Sequence, residues 1–181
     1  GHSLAFRSYY AFARSRDGGL RTSTGIPTSV CFGFLKSLMD TLEAEKPDYA
    51  AVTFDLPEPT FRHKLTDTYK AGREETPEEF TEDVENLKEL LGAFHLPIFC
   101  TPGYEADDMI GTLATRAKAQ GFRVKILSGD QDLFQLIDQD EDIKIVYLST
   151  KFGSRTSTAS EFGIAEVYEK LSILPCQVIA Y

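Results

Sequence analysis

At 181 residues, 42% hydrophobic and 26% charged, the chain has the size and composition of a soluble globular domain with a sizeable core. No apolar run approaches the ~20 residues that span a bilayer, the first residues show no signal-peptide pattern, and three distant cysteines (Cys31, Cys100, Cys176) exclude a disulfide framework and a cysteine zinc site. A net charge of −9 argues against a nucleic-acid partner only if the charge is evenly spread, and here it is not.

The chain opens on "GHSLAFRSYYAFA" with no strand before it. Residues 27–43, "PTSVCFGFLKSLMDTLE", read as a helix with Cys31, Phe34, Leu35, Leu38 and Leu42 on one face. "DYAAVTFD" is a short run rich in strand formers that ends on Asp55. Next comes the basic segment "FRHKLTDTYKAGR" with Arg62, Lys64, Lys70 and Arg73, followed by a dozen residues holding seven acids. "TPEEFTEDVENLKELLGAF" predicts a helix with Thr76 as N-cap, Pro77 at its first position and Glu79 as capping-box partner. Its apolar stripe is Phe80, Val84, Leu87, Leu91 and Phe94.

"LPIFC" reads as a strand leading into "GYEADDMIGTLA", an acidic helix with Ala106, Met109, Ile110, Leu113 and Ala117 as its stripe and Gly121 as its stop. "FRVKILSGDQD" is a further strand that ends in acids, and "DIKIVYLS" another. "KFGSRTSTAS" reads as a polar loop, and "IAEVYEKL" and "PCQVIAY" as short helices. Strands alternating with amphipathic helices predict an α/β fold, a mainly parallel central sheet with helices on both faces.

Three acidic groups follow three of these strands. Glu105, Asp107 and Asp108 alone fit helix capping, because carboxylates are favourable in a first helical turn. Capping explains one cluster but not also Asp55 and the pair Asp130 and Asp132, each just past a strand. In open α/β sheets, sites form at the carboxyl ends of the strands, so all six carboxylates are expected along one edge. Unscreened, they would repel by about 1 kcal/mol or more per close pair. An all-oxygen donor set selects Mg²⁺ or Mn²⁺, and two such ions are the usual arrangement for phosphodiester hydrolysis. Beside such a site, Lys70 and Arg73 could offset phosphate charge. Phe61 and Tyr69, interleaved with cations, suit stacking on an unpaired base. The bland alternative for this segment is a solvated charged face with its aromatics packed inward.

These motifs, in order "GHSLAFRSYYAF", "GFLKSL", "PDYAAVTFD", "TFRHKLTDTYKAGR", "GYEADDMIGTLA", "LSGDQDLFQLI" and "QVIAY", resemble the 5′ nuclease (flap endonuclease) family. The likeness is to the N-terminal 5′→3′ exonuclease domain of bacterial DNA polymerase I, with phrasing most like cyanobacterial members. The resemblance implies a PIN-like 5′ nuclease fold with a helical arch. It implies that Asp55, Glu105, Asp107, Asp108, Asp130 and Asp132 hold two Mg²⁺ (or Mn²⁺) ions. Lys70 and Arg73 then match the basic pair of the arch, Tyr69 an arch aromatic near the scissile nucleotide, and Arg7 an arginine on phosphate near the metals. Arg62, with Lys64 and Phe61 beside it, falls near the DNA.

The resemblance further implies a monomeric, cytoplasmic, nucleoid-associated bacterial protein that cuts 5′ flaps, nicks and branched duplex, without membrane contact and fused to polymerase domains. It makes residues 1–181 one 5′ nuclease domain truncated at both ends. The family's first strand with its Asp precedes position 1, and its "GD…SDN" carboxylates and helical DNA-binding motif follow Tyr181. Alternatives are a PIN-like ribonuclease, a phospho-acceptor receiver domain and a catalytically inactive DNA-binding fragment. The arch segment argues against the first. The receiver would need an acidic pair after the first strand and a late lysine, and neither is present.

Overall fold

A computed structural model of the chain describes residues 1–13, 19–66, 68–70, 72, 76–150 and 157–180. These fall into two compact units, Gly1–Met109 and Ile110–Tyr181.

The first unit is built from helices α1 (His2–Ala13), α2 (Ser29–Glu45), α3 (Phe61–Leu65) and α4 (Glu78–Ala93) and two short strands, β1 (Val52–Thr53) and β2 (Ile98–Phe99). β1 and β2 pair in parallel, Val52 with Ile98 and Thr53 with Phe99. The sequence reading leaves α1 unassigned, although Phe6, Tyr9 and Tyr10 recur at helical spacing. Tertiary packing stabilises it: Phe6 stacks on Phe80 of α4 at 4.1 Å, and Tyr9 meets the same ring edge-on at 5.7 Å. α1 and α2 approach closely at Gly33, where an added Cβ would lie 2.7 Å from that of Ser8. Any larger residue there would push the two helices apart.

The α4 stripe is buried at Phe80, Val84, Leu87 and Leu91, as its period requires. Phe94 departs from it. It lies just past the last helical turn and is 52% exposed, since the stripe loses its partner once the chain leaves the helix. The helix also starts one residue later than expected. Pro77, not Thr76, holds the N-cap position, no side chain caps it, and Glu79 pairs with Arg21 instead of closing a capping box.

Asp83, on the inner face of α4, is 1% exposed and accepts the N–H groups of Val30 (2.6 Å) and Cys31 (3.1 Å). Thr28 gives α2 no side-chain cap. A carboxylate on another helix therefore satisfies the free donors at the start of α2 and meets its positive dipole end. The Cys31 thiol donates to the Asp83 carbonyl, and burial, followed by that carboxylate, pushes it up to about 12. Cys100 and Cys176 are exposed. A thiol reagent at pH 8 should thus modify two cysteines in the native protein and a third only on unfolding, counted by mass. Native labelling of Cys31 would contradict this packing.

The second unit holds most of α5 (Ala106–Ala119), strands β3 (Val124–Ser128), β4 (Ile143–Thr150) and β5 (Ser157–Phe162), and α6 (Ile164–Leu171). The register places β3 parallel to β4, from Val124 opposite Ile143 to Ser128 opposite Tyr147. β5 runs antiparallel to β4. This corrects the polar loop expected over 151–160. Positions 151–156 lie outside the described residues, but Ser157–Ser160 is strand, an edge strand whose polar composition follows from pairing on one side only. The core packs Phe134, Ile145, Val167, Ile126 and Ala114 together, with Phe162 stacked on Phe134 at 5.0 Å. The last segment, Pro175–Ala180, is 3₁₀ rather than α-helix. The α/β class expected from the sequence is therefore found, with two parallel pairings and one antiparallel. Among the described residues, no helix is long and apolar enough to cross a membrane.

Candidate active site

The first group of carboxylates gathers where β1 ends and α5 begins. Asp55 follows β1 by one residue, and its Oδ1 accepts the N–H of Ala106, the first residue of α5, at 2.8 Å. β1 carries Asp55 to the edge, and a turn with Gly103 at φ +82° brings Tyr104 and Glu105 round to it. The capping reading of the acidic stretch is thus correct in part, since Asp55 and Asp108 both serve free N–H groups there. Asp108 Oδ2 accepts the Glu105 N–H at 2.9 Å.

His2 Nδ1 sits 3.0 Å from Asp55 Oδ2. Burial alone would raise the Asp55 carboxyl, but the His2 bond, the Ala106 N–H and the His2 and Lys70 charges outweigh it and hold it at about 2. Asp55 is therefore ionised at any working pH, as a cation ligand must be.

The basic segment folds onto these acids. Arg62 makes a two-pronged bond to Asp108, both contacts 2.7 Å, and its guanidinium lies 3.5 Å from Glu105 Oε2. Lys70 Nζ donates to Glu105 Oε1 at 2.6 Å, and the Tyr69 hydroxyl to Oε2 at 3.0 Å. Arg62 holds the Asp108 carboxyl below the usual carboxylate range, and Asp108 in turn raises the guanidinium. Lys70 adopts φ +57°, a left-handed backbone uncommon outside glycine, and its ammonium is tied to Glu105. His63 closes the start of α3: its Nδ1 accepts the Thr60 N–H at 3.2 Å, and its ring meets Tyr69 edge-on.

The sequence puts Lys70 beside phosphate and Arg62 near the DNA; the structure places Arg62, Tyr69 and Lys70 directly on two of the six carboxylates. Among the described residues, no three of Asp55, Glu105, Asp107 and Asp108 bring ligand atoms within 4.8 Å of one another. Asp107 is exposed on the first turn of α5, Lys64 is exposed on α3, and Arg7 is half-buried midway along α1. Arg73 lies outside the described residues.

In the second unit, Asp130 and Asp132 follow β3, as expected. Asp130 Oδ1 accepts the Asp132 N–H at 3.0 Å, and the Ser128 hydroxyl oxygen accepts the Asp130 N–H at 3.1 Å, which turns the chain sharply at the strand end. The side chain of Gln131 bonds the Tyr147 hydroxyl.

Sequence reasoning did not select Asp138, Asp140 and Asp142, whose oxygens do lie within 4.8 Å of one another. Lys118 already sits among them, bonded to Asp138 and 3.2 Å from Asp140 Oδ2. The alternation "DQDEDIK" was the available signal, but nothing in it reveals that a lysine twenty residues earlier fills the cluster. Burial would raise the Asp138 carboxyl, but Lys118 and the Ile143 N–H outweigh it and hold it below the usual value. A carboxyl depressed in the folded state stabilises above its unfolded pKa of about 3.9, and that stabilisation fades as pH falls further. Asp138→Asn should therefore lower the melting temperature at pH 7, with the gap to wild type closing below about pH 4. A gap that stays constant from pH 7 to pH 2.5 would refute the pairing.

Comparison with known proteins points one way. The family described as "5'-3' exonuclease, N-terminal resolvase-like domain" matches residues 1–172. DNA polymerase I of Synechocystis sp. is 49% identical over 181 residues, covering 100% of this chain and 18% of that protein. DNA polymerase I of Chloroflexus aurantiacus is 47% identical over 157 residues, 87% of this chain and 16% of that protein. The chain thus spans under a fifth of the length of these relatives. Among solved structures, the bacteriophage T5 5'-exonuclease with bound zinc aligns with a TM-score of 0.73 at 19% identity, over 99% of this chain and 62% of that one. The bacteriophage T5 flap endonuclease in complex with DNA and metal ions aligns at 0.71, also at 19% identity, over 99% and 61%. At such identities the likeness is one of fold.

Proposed function

Since the chain belongs to the family of 5′-3′ exonuclease N-terminal, resolvase-like domains and has the PIN-like 5′ nuclease fold, we propose that it is a Mg²⁺- or Mn²⁺-dependent nuclease. It hydrolyses DNA phosphodiester bonds at 5′ flaps, nicks and branched duplex, as one domain of a monomeric bacterial DNA polymerase I in the cytoplasm, at the nucleoid. The observation that carries the proposal is the meeting of Arg62, Tyr69 and Lys70 with Glu105 and Asp108 beside Asp55. On this reading, residues proposed to hold cations and residues proposed to bind phosphate lie side by side, which supports it.

The residues that would hold divalent ions are Asp55, Glu105, Asp107 and Asp108 in the first unit, and Asp130 and Asp132 in the second. The donor set fits: every ligand is a carboxylate, the choice of hard cations, and the lowered carboxyls of Asp55 and Asp108 are ionised at neutral pH. Such ions supply Lewis acidity and charge compensation for an attacking water. The chain does the rest. Lys70, with Arg73 and Arg7, neutralises the scissile phosphate as charge builds on it. Arg62 and Lys64 position the backbone, and Tyr69 and Phe61 steady the unpaired strand. In the structure described here, Glu105 keeps the Lys70 ammonium beside that place before substrate arrives.

The test is cleavage of a 5′-flap duplex and of a single-stranded RNA of matched sequence, in Mg²⁺ and in chelator. The flap should be cut near its junction in Mg²⁺ only, with the RNA left intact. Preferred cleavage of the RNA would establish the ribonuclease alternative. Cleavage of neither, in Mg²⁺ or Mn²⁺, would leave a DNA-binding domain without catalysis.

A further inference from the structure

Phe61 and Tyr104 stand together at the surface of the first unit, 39% and 51% exposed, with ring centroids 5.6 Å apart and planes at 57°. Two large rings left in water forgo hydrophobic stabilisation, and a pair of them held in place needs a reason. The pair is held. The Phe61 N–H donates to the Gly103 carbonyl at 2.9 Å, joining the start of α3 to the turn before α5, and the Tyr104 N–H donates to the Thr101 carbonyl at 3.2 Å. The Arg62 guanidinium carbon lies 4.6 Å from the Phe61 ring centroid, and two bonds to Asp108 fix it there. The backbones that carry the two rings are thus tied together, a cation flanks Phe61, and Tyr104 directly precedes Glu105.

We propose that Tyr104, supported by Phe61, is a stacking platform for an unpaired nucleobase of a single DNA strand. The inference rests on the nuclease reading above and assigns a ligand contact to a residue that sequence reasoning did not select. Every base offers a π-face, so stacking is tolerant of sequence, as suits a strand recognised by structure. Of the acids nearby, Asp108 is paired with Arg62 and Glu105 with Lys70, which weakens their repulsion of such a strand, while Asp107 stays exposed. Lys64, exposed on α3, offers a phosphate contact alongside. Sequence analysis passed Tyr104 over because it precedes "EADD" and reads as part of a turn. Only the meeting of that turn with α3 pairs it with an aromatic 43 positions away.

The experiment uses single-stranded oligodeoxynucleotides carrying 2-aminopurine at successive positions, in chelator so that nothing is cut. Binding and fluorescence are measured for wild type, Tyr104→Ala, Tyr104→Phe, Lys64→Ala and the surface control Tyr49→Ala. Wild type should quench the probe at one position. Tyr104→Ala should abolish that quenching and weaken binding roughly 5- to 100-fold, with the salt slope of affinity unchanged. Tyr104→Phe and Tyr49→Ala should behave as wild type, and Lys64→Ala should lower the salt slope by about 1.

Wild-type quenching and affinity in Tyr104→Ala would overturn the platform while leaving the nuclease reading intact. Equal losses in Tyr104→Phe would overturn stacking in favour of a hydroxyl contact. Equal quenching of a matched RNA would overturn the restriction to DNA. Failure of the wild-type protein to bind any nucleic acid would remove the nuclease reading itself.

Discussion

Lys70→Ala is expected to slow single-turnover cleavage of a 5′-flap duplex roughly 10²–10³-fold while changing DNA affinity by less than about fivefold. The expectation follows from where the ammonium is held. Nζ lies 2.6 Å from Glu105 Oε1, on a backbone at φ +57°, next to a tyrosine bonded to the same carboxylate. A positive charge held at the carboxylates acts on charge that develops during reaction. It differs from a lysine on a groove wall, whose loss weakens ground-state binding and flattens the salt dependence. Two further readouts separate this from a structural role. On the proposed reading Lys70 competes with a divalent ion for Glu105, so its removal should leave Mg²⁺ affinity equal or tighter, measured calorimetrically without DNA. The melting temperature should fall by no more than about 3 °C, since the Tyr69 hydroxyl and Arg62 still face Glu105 once Lys70 is gone. An unchanged single-turnover rate, or an Mg²⁺ affinity that falls, would show that Lys70 supports the fold and not the chemistry.

The largest expected effect on stability lies elsewhere, at Asp83. Asp83→Ala should cost about 3 kcal/mol, because it removes two charge-assisted hydrogen bonds and leaves the N–H groups of Val30 and Cys31 buried without them. For a chain of this length, that is a drop of roughly 6–12 °C in melting temperature. Asp83→Asn keeps an oxygen for one donor, so it should recover part of the loss. Urea unfolding of the three proteins, with a common slope and ordered midpoints, checks the ranking. A midpoint in Asp83→Ala equal to wild type would mean that α2 does not need its cap. The thiol of Cys31 gives an independent sign. Without the Asp83 side chain the start of α2 should open more often, and labelling of Cys31 should speed up accordingly.

Periodicity carried the sequence reading as far as periodicity goes. α2, α4, α5, β3 and β4 lie where their apolar spacing puts them, because a 3.6- or 2-residue repeat is a local property that packing then exploits. The acids at the ends of β1 and β3 and at the start of α5 were legible for the same reason, since strand ends are read from the chain alone. α1 went unassigned although Phe6, Tyr9 and Tyr10 hold a helical repeat, and it is Phe80 of α4 that Phe6 and Tyr9 pack against. β5 was not legible, because a polar edge strand needs β4 to define it. Phe94 kept to the helical repeat although the helix had ended.

The chain by itself determined which residues carry charge, where α2, α4, α5, β3 and β4 form and which ionisable groups follow the strands. The tertiary structure alone decided what those groups face. Asp83 reads as one acid among seven in its stretch, yet it caps a helix whose first donors lie 53 positions away. Lys70 reads as a phosphate ligand and Arg62 as a residue near the DNA, yet they lie on Glu105 and Asp108, 35 and 46 positions on. The alternating acids of 138–142 carry no reading from the sequence, yet folding gathers them around Lys118. The physical reason is common to all three. Propensity and period act over a few residues, whereas a charge is stabilised by whichever opposite charge or N–H dipole the folded chain brings within about 3 Å.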